Sequence, residues 1–182
     1  MDDLLVFMRT TYIILLLIGL SAFGGLGIKL PKSAIKKMDK SIKSAWAVEE
    51  YETIQVSLEG LTEFKLDGNE KVSVIKAQNE SIGFMVLSQA YGKYDFFDLM
   101  VLYDNELKIK SSAVLVYRED FGGEIGSGRW LRQFVGKDKS SQFKLDEDVQ
   151  GISGATISVR SATREFKRVT SLMEQLKKQN KL

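Results

Sequence analysis

The chain has 182 residues, 44% hydrophobic and 27% charged, with a net charge of +2. This is the composition of a folded protein with one real core, without the concentrated basic face of a nucleic-acid binder, so no nucleic-acid partner is expected. It has no cysteine and no histidine, which excludes disulfides, thiolate-held iron–sulfur or zinc sites, histidine-ligated haem and Ser-His-Asp catalysis; redox chemistry here requires an organic cofactor.

The first element in the chain is an uncharged run from Thr10 to Ile28. Its length suffices for one membrane-spanning helix, which needs about 17–25 residues. A cleaved signal peptide competes, with Leu20-Ser21-Ala22 as a cleavage site. Arg9 is the only basic residue before the run, and Asp2 and Asp3 offset it, which favours an uncleaved anchor over residues 1–30. Lys29, Lys32, Lys36, Lys37, Lys40 and Lys43 all lie after the run. By the positive-inside bias these lysines hold the C-terminal domain in the cytoplasm.

Ser33 to Tyr51 reads as an amphipathic helix, with Ile35, Met38, Ile42, Ala45, Trp46 and Val48 near one side. Residues 31–51 thus form a basic juxtamembrane helix whose lysine face either rests on anionic lipid or is simply solvated. Strand signals come next, at Glu52–Leu58, Lys71–Lys76, Ser81–Gln89, Phe96–Tyr103 and Glu106–Tyr117, with turn residues Leu66-Asp67-Gly68-Asn69 and Asp104-Asn105 between them. The last two strands form a hairpin.

Between Gly122 and Gly128 lie four glycines, where positive φ and close backbone approach to a ligand are permitted. Downstream come Trp130, Gln133, Phe134, Gly136 and Lys137. Next is Gly151-Ile152-Ser153-Gly154-Ala155-Thr156-Ile157-Ser158, a hydroxyl among residues too small to shield it. From Val159 a helical stripe runs through Ala162, Phe166, Val169, Leu172, Met173 and Leu176. Strands first and a long helix last predict an α+β domain over residues 52–182, an antiparallel sheet packed on a long C-terminal helix, behind a single N-terminal transmembrane helix. Taken alone, Ser153-Gly154-Ala155-Thr156 also fits a loop ending in a helix N-cap.

The Ser153–Thr156 segment with its trailing helix resembles the flavinylation motif of the FMN-binding domain family, whose members include the flavin-carrying subunits of Rnf- and Nqr-type membrane redox complexes. The run from Tyr117 to Lys137 is similar to that family's E-T-P-G-L-G stretch and the Q-F-x-G-K-like segment after it. Glu119 and Gly122 match the acid and first glycine, whereas Phe121 replaces the proline, Gly123 the leucine and Glu124 the second glycine. The resemblance covers roughly Ser81 to Val169.

It implies FMN joined through its phosphate to Thr156 by a flavin transferase, with Ser153, Gly154 and Ala155 shaping the acceptor loop. Glu119 then accepts from a ring N–H or fixes the loop, Gly122 gives backbone access, and Trp130 covers the isoalloxazine or is plain core. No catalytic residue and no metal ligand is expected. The function implied is an electron relay between protein redox partners on the extracytoplasmic side of the membrane, against the bias of the lysines. An adaptor without cofactor and a stand-alone flavin reductase are the competing functions. No nicotinamide-binding pattern supports the latter, since Gly123, Gly126 and Gly128 lack the strand and distant acid of a dinucleotide fingerprint.

Overall fold

A computed structural model describes residues 28–62 and 64–182. The apolar run expected to cross the membrane lies outside the described residues, save Ile28. No helix among the described residues is long and apolar enough to cross a membrane. The elements are α1 (Lys32–Trp46), β1 (Glu52–Gln55), β2 (Lys71–Ala77), β3 (Glu80–Tyr91), β4 (Phe96–Tyr103), β5 (Ile109–Val116), a one-turn α2 (Gly128–Leu131) between two 3-10 turns, and α3 (Thr156–Lys178).

The five strands form one antiparallel sheet in the order β1-β2-β3-β4-β5, each beside its neighbour in sequence. This is the expected α+β core, and the hairpin foreseen at β4 and β5 is present. Strand β5 begins at Ile109, later than the pattern suggested, because Asp104 accepts from the N–H groups of Glu106 and Lys108, both at 2.9 Å, and turns the chain there.

Both faces of the sheet are covered. Side chains alternate along β4, so Phe97, Leu99, Val101 and Tyr103 join the cluster that contains α3 residues Val159, Phe166, Val169 and Leu176. Met100 and Leu102 join the opposite cluster with Ala34 and Ile42 of α1. A strand buried on both faces has no polar side to show, which accounts for the nearly unbroken apolar run of β4.

The sequence set α1 apart as a juxtamembrane segment. In the structure its apolar side packs on the sheet, in the same unit as the strands, and the lysine side with Ile35 is left exposed. The helix also ends at Trp46, five residues short of Tyr51, where Ala47 turns left-handed (φ 53°) and its N–H reaches the Lys43 carbonyl. Ala34 rather than Ile35 faces the sheet.

Candidate functional site

Helix α3 starts at Thr156 with Ala155 as its N-cap, and no side chain caps it. The first backbone bond closing the helix is Val159 N–H to Ala155 O at 2.9 Å. The N–H groups of the preceding turn therefore point outward without intrahelical partners. Thr156 is exposed, and its hydroxyl makes no hydrogen bond among the described residues. The capping explanation for this motif therefore does not hold: neither Ser153 nor Thr156 spends its oxygen on the helix end.

Before Thr156 the chain makes a tight turn, with Ala155 N–H donating to Ile152 O at 3.1 Å. Gly154 sits in it at φ 82°, where a side chain would be strained, and a Cβ there would meet nothing within 4 Å. Ala155 is buried, and Ser153 is exposed outside the lining of the adjoining cleft.

Thr156, Gly154 and Ala155 form one wall of this cleft, which has a volume of about 790 Å³. This lies within the range of small-molecule and cofactor sites, roughly 300–1,000 Å³. The opposite wall comes from the segment after β5, Arg118 to Gly122, and from the β3–β4 loop, Lys93 to Asp95. Gly122 is at φ 82°, and a Cβ on it would stand 2.8 Å from the Tyr117 hydroxyl and 3.4 Å from the Ala155 Cβ. This glycine lets the two walls approach each other.

Tyr117 ties the walls together. Its hydroxyl donates to Phe121 O at 2.8 Å and lies 3.3 Å from Ser158 Oγ, a buried residue in the first turn of α3. Ser158, assigned no part from sequence, thus joins the cleft to the helix. The β3–β4 loop is held by Glu119, whose Oε1 accepts from Tyr94 N–H at 2.6 Å and Asp95 N–H at 3.0 Å. These donors, Tyr94 first, keep the Glu119 carboxyl below the usual carboxylate range. Glu119 thus fixes the β3–β4 loop, a partner the sequence did not indicate. Below it, Arg118 pairs with buried Asp98 at 2.6 Å, and Gln89 donates to the other Asp98 oxygen at 2.7 Å.

Trp130 does not face the cleft. It is 4% exposed, packed edge-on against Phe134 with ring centroids 5.1 Å apart. Its indole N–H donates to Gln150 O at 2.9 Å, while Gln133 Oε1 accepts from Gln150 N–H at 2.7 Å. Lys137 pairs with Asp148 at 2.6 Å, and Phe134 stacks on Phe166 of α3 at 3.7 Å. The expectation that Trp130 covers a flavin face is thereby corrected. Trp130, Gln133, Phe134 and Lys137 hold the segment leading into the Ser153–Thr156 turn, from beneath.

Sequence reasoning missed Tyr117 and the Lys93–Asp95 loop. The Glu119–Tyr94 contact spans 25 residues and has no local signature.

Residues 92–170 match the family model described as the FMN-binding domain. The matched stretch opens at the β3–β4 loop and closes inside α3, so it contains both walls of the cleft, Thr156 and the Trp130–Lys137 support. The match is to the family that the resemblance named, and it supports a flavin-binding protein. No curated protein matches the chain.

Proposed function

We propose that this protein is a membrane-anchored, extracytoplasmic flavoprotein that relays electrons through FMN attached to Thr156 by a phosphoester. The observation that carries the reading is the free, exposed Thr156 hydroxyl at the start of α3, beside a cofactor-sized cleft. A phosphoester there gains from the outward N–H groups and the positive end of the helix dipole. The open space at Gly154 accommodates the phosphate and the attaching enzyme.

When bound, the isoalloxazine supplies the reversible electron transfer, which no side chain of this cysteine-free chain can provide. The protein's part is to tether and orient. Thr156 provides the oxygen, and Gly122, Glu119 and the β3–β4 loop form the facing wall. Covalent attachment suits a compartment where free FMN is dilute and a dissociated cofactor is lost. Electron donor and acceptor are protein redox partners, and a flavin transferase installs the group.

The test is flavin fluorescence in a denaturing gel after coexpression with a flavin transferase. Wild-type chain is expected to fluoresce and Thr156→Val to be dark. A dark wild-type band would favour an anchored adaptor, whereas a Thr156→Val band as bright as wild type would move the linkage to another residue.

A further inference from the structure

We propose that the cleft end of the domain faces the surface of the lipid bilayer, so that the flavin site opens toward the membrane rather than away from it. The inference rests on the proposed membrane-anchored function and adds an orientation to it.

The geometry comes from how α1 lies on the sheet. Lys37 Nζ donates to Val114 O at 2.7 Å, and Lys110 Nζ lies 5.7 Å from the Trp46 ring centre. Nine helical residues and four strand residues both span about 13–14 Å, so α1 runs antiparallel to β5. Its first residue, Lys32, is then level with Val116, where β5 leads into the cleft wall. Helix α3 points the same way on the other face. Ser161 Oγ accepts from Tyr91 N–H at 2.7 Å near its start, and Thr170 lies 3.0 Å from the Tyr103 hydroxyl further along. Both helix N-termini and the cleft therefore share one end of the sheet.

The tether enters at that end too. Ile28, where the uncharged run stops, is four residues before Lys32 and so within about 14 Å of it. A bilayer holding the run is thus nearer to the cleft than to the β4–β5 turn.

The surface there suits an interface. Among the described residues seven large apolar or aromatic side chains are exposed, and five are at this end: Ile35 in the first turn of α1, then Tyr91 (60%), Tyr94 (81%), Phe121 (83%) and Ile157 (52%) about the cleft. Amphipathic aromatic rings collect at the headgroup level of membranes. Lys29, Lys32, Lys36 and Lys93 stand exposed around them and attract anionic lipid. Asp95, Glu119, Asp120 and exposed Glu124 oppose these four lysines, so the exposed apolar and aromatic side chains and the entry of the tether, not net charge, carry the fit to a lipid surface.

A native chain without cysteine makes the test direct. Single variants Phe121→Cys, at the cleft, and Glu106→Cys, in the β4–β5 turn, carry a nitroxide label in the full chain reconstituted into vesicles of phosphatidylcholine and phosphatidylglycerol. The ratio of collision rates with oxygen, which concentrates in lipid, and with a water-soluble nickel complex reports proximity to the bilayer. The ratio is expected to be several-fold higher at position 121 than at 106. Equal ratios, or a higher one at 106, would overturn the proposal, the former leaving a protein as the occupant of this rim. A chain that does not float with the vesicles overturns it by removing the anchor. None of these readings depends on flavin, so failure of the covalent linkage shows separately, in the gel.

Discussion

The two halves of the Tyr117–Lys137 stretch, so close in sequence, do unlike work. The first half, from Tyr117 to Gly122, is partly exposed and forms a wall of the cleft. The second, from Trp130 to Lys137, reaches the Ser153–Thr156 turn only from below, through the Gln150 backbone and Asp148. One half meets any ligand that enters the cleft, and the other fixes where Thr156 stands. Substitutions in the first half should alter loading while leaving the fold intact, and substitutions in the second should weaken both together.

The largest effect on stability belongs to Trp130→Ala. It removes a large buried ring and leaves the Gln150 carbonyl without its donor, and is expected to cost about 3–5 kcal/mol in urea unfolding, with reduced flavin loading. A smaller effect is expected from Tyr117→Phe, which deletes only the hydroxyl shared by Phe121 and Ser158. A loss of about 1 kcal/mol is expected, and a loss as large as that of Trp130→Ala would erase the distinction between the halves.

Glu119 gives a pH-dependent version of the contrast. Its folded-state pKa is depressed, so the loop contact is fully present above the ordinary carboxylate range, about pH 4.3. It is lost as pH falls through the lower folded value. Hydrogen exchange at the Tyr94 and Asp95 amides should accelerate on acidification relative to the intrinsic rate, and Glu119→Gln should weaken the same protection at neutral pH. Unchanged protection in that variant would detach the loop from Glu119. The smallest effect is that of Phe121→Ala, which is expected to shift stability by less than about 0.5 kcal/mol because the ring is 83% exposed.

How much of the fold and site was legible in the sequence depends on the range of each signal. The stripe from Ala162 to Leu176 and the β4–β5 pair are local periodicities, and both formed as expected. The Ser153–Thr156 turn stood out only through the family resemblance, since small residues before a helical stripe fit a helix N-cap equally well. Trp130 was ambiguous because burial and ligand contact ask for the same residue type, and only the position of Gln150, twenty residues away, decides between them. The amphipathic pattern of α1 said that one side is buried, not against what. The missed clue was β4, whose Leu99-Met100-Val101-Leu102 run leaves no face for water and so demanded a second covering layer.

The intact mass of the full chain, purified from cells that also make a flavin transferase, bears most directly on the central assignment. The expected mass exceeds that of the polypeptide by one FMN less one water, with the increment mapping to the peptide containing Thr156. A chain weighing no more than its amino acids would contradict it.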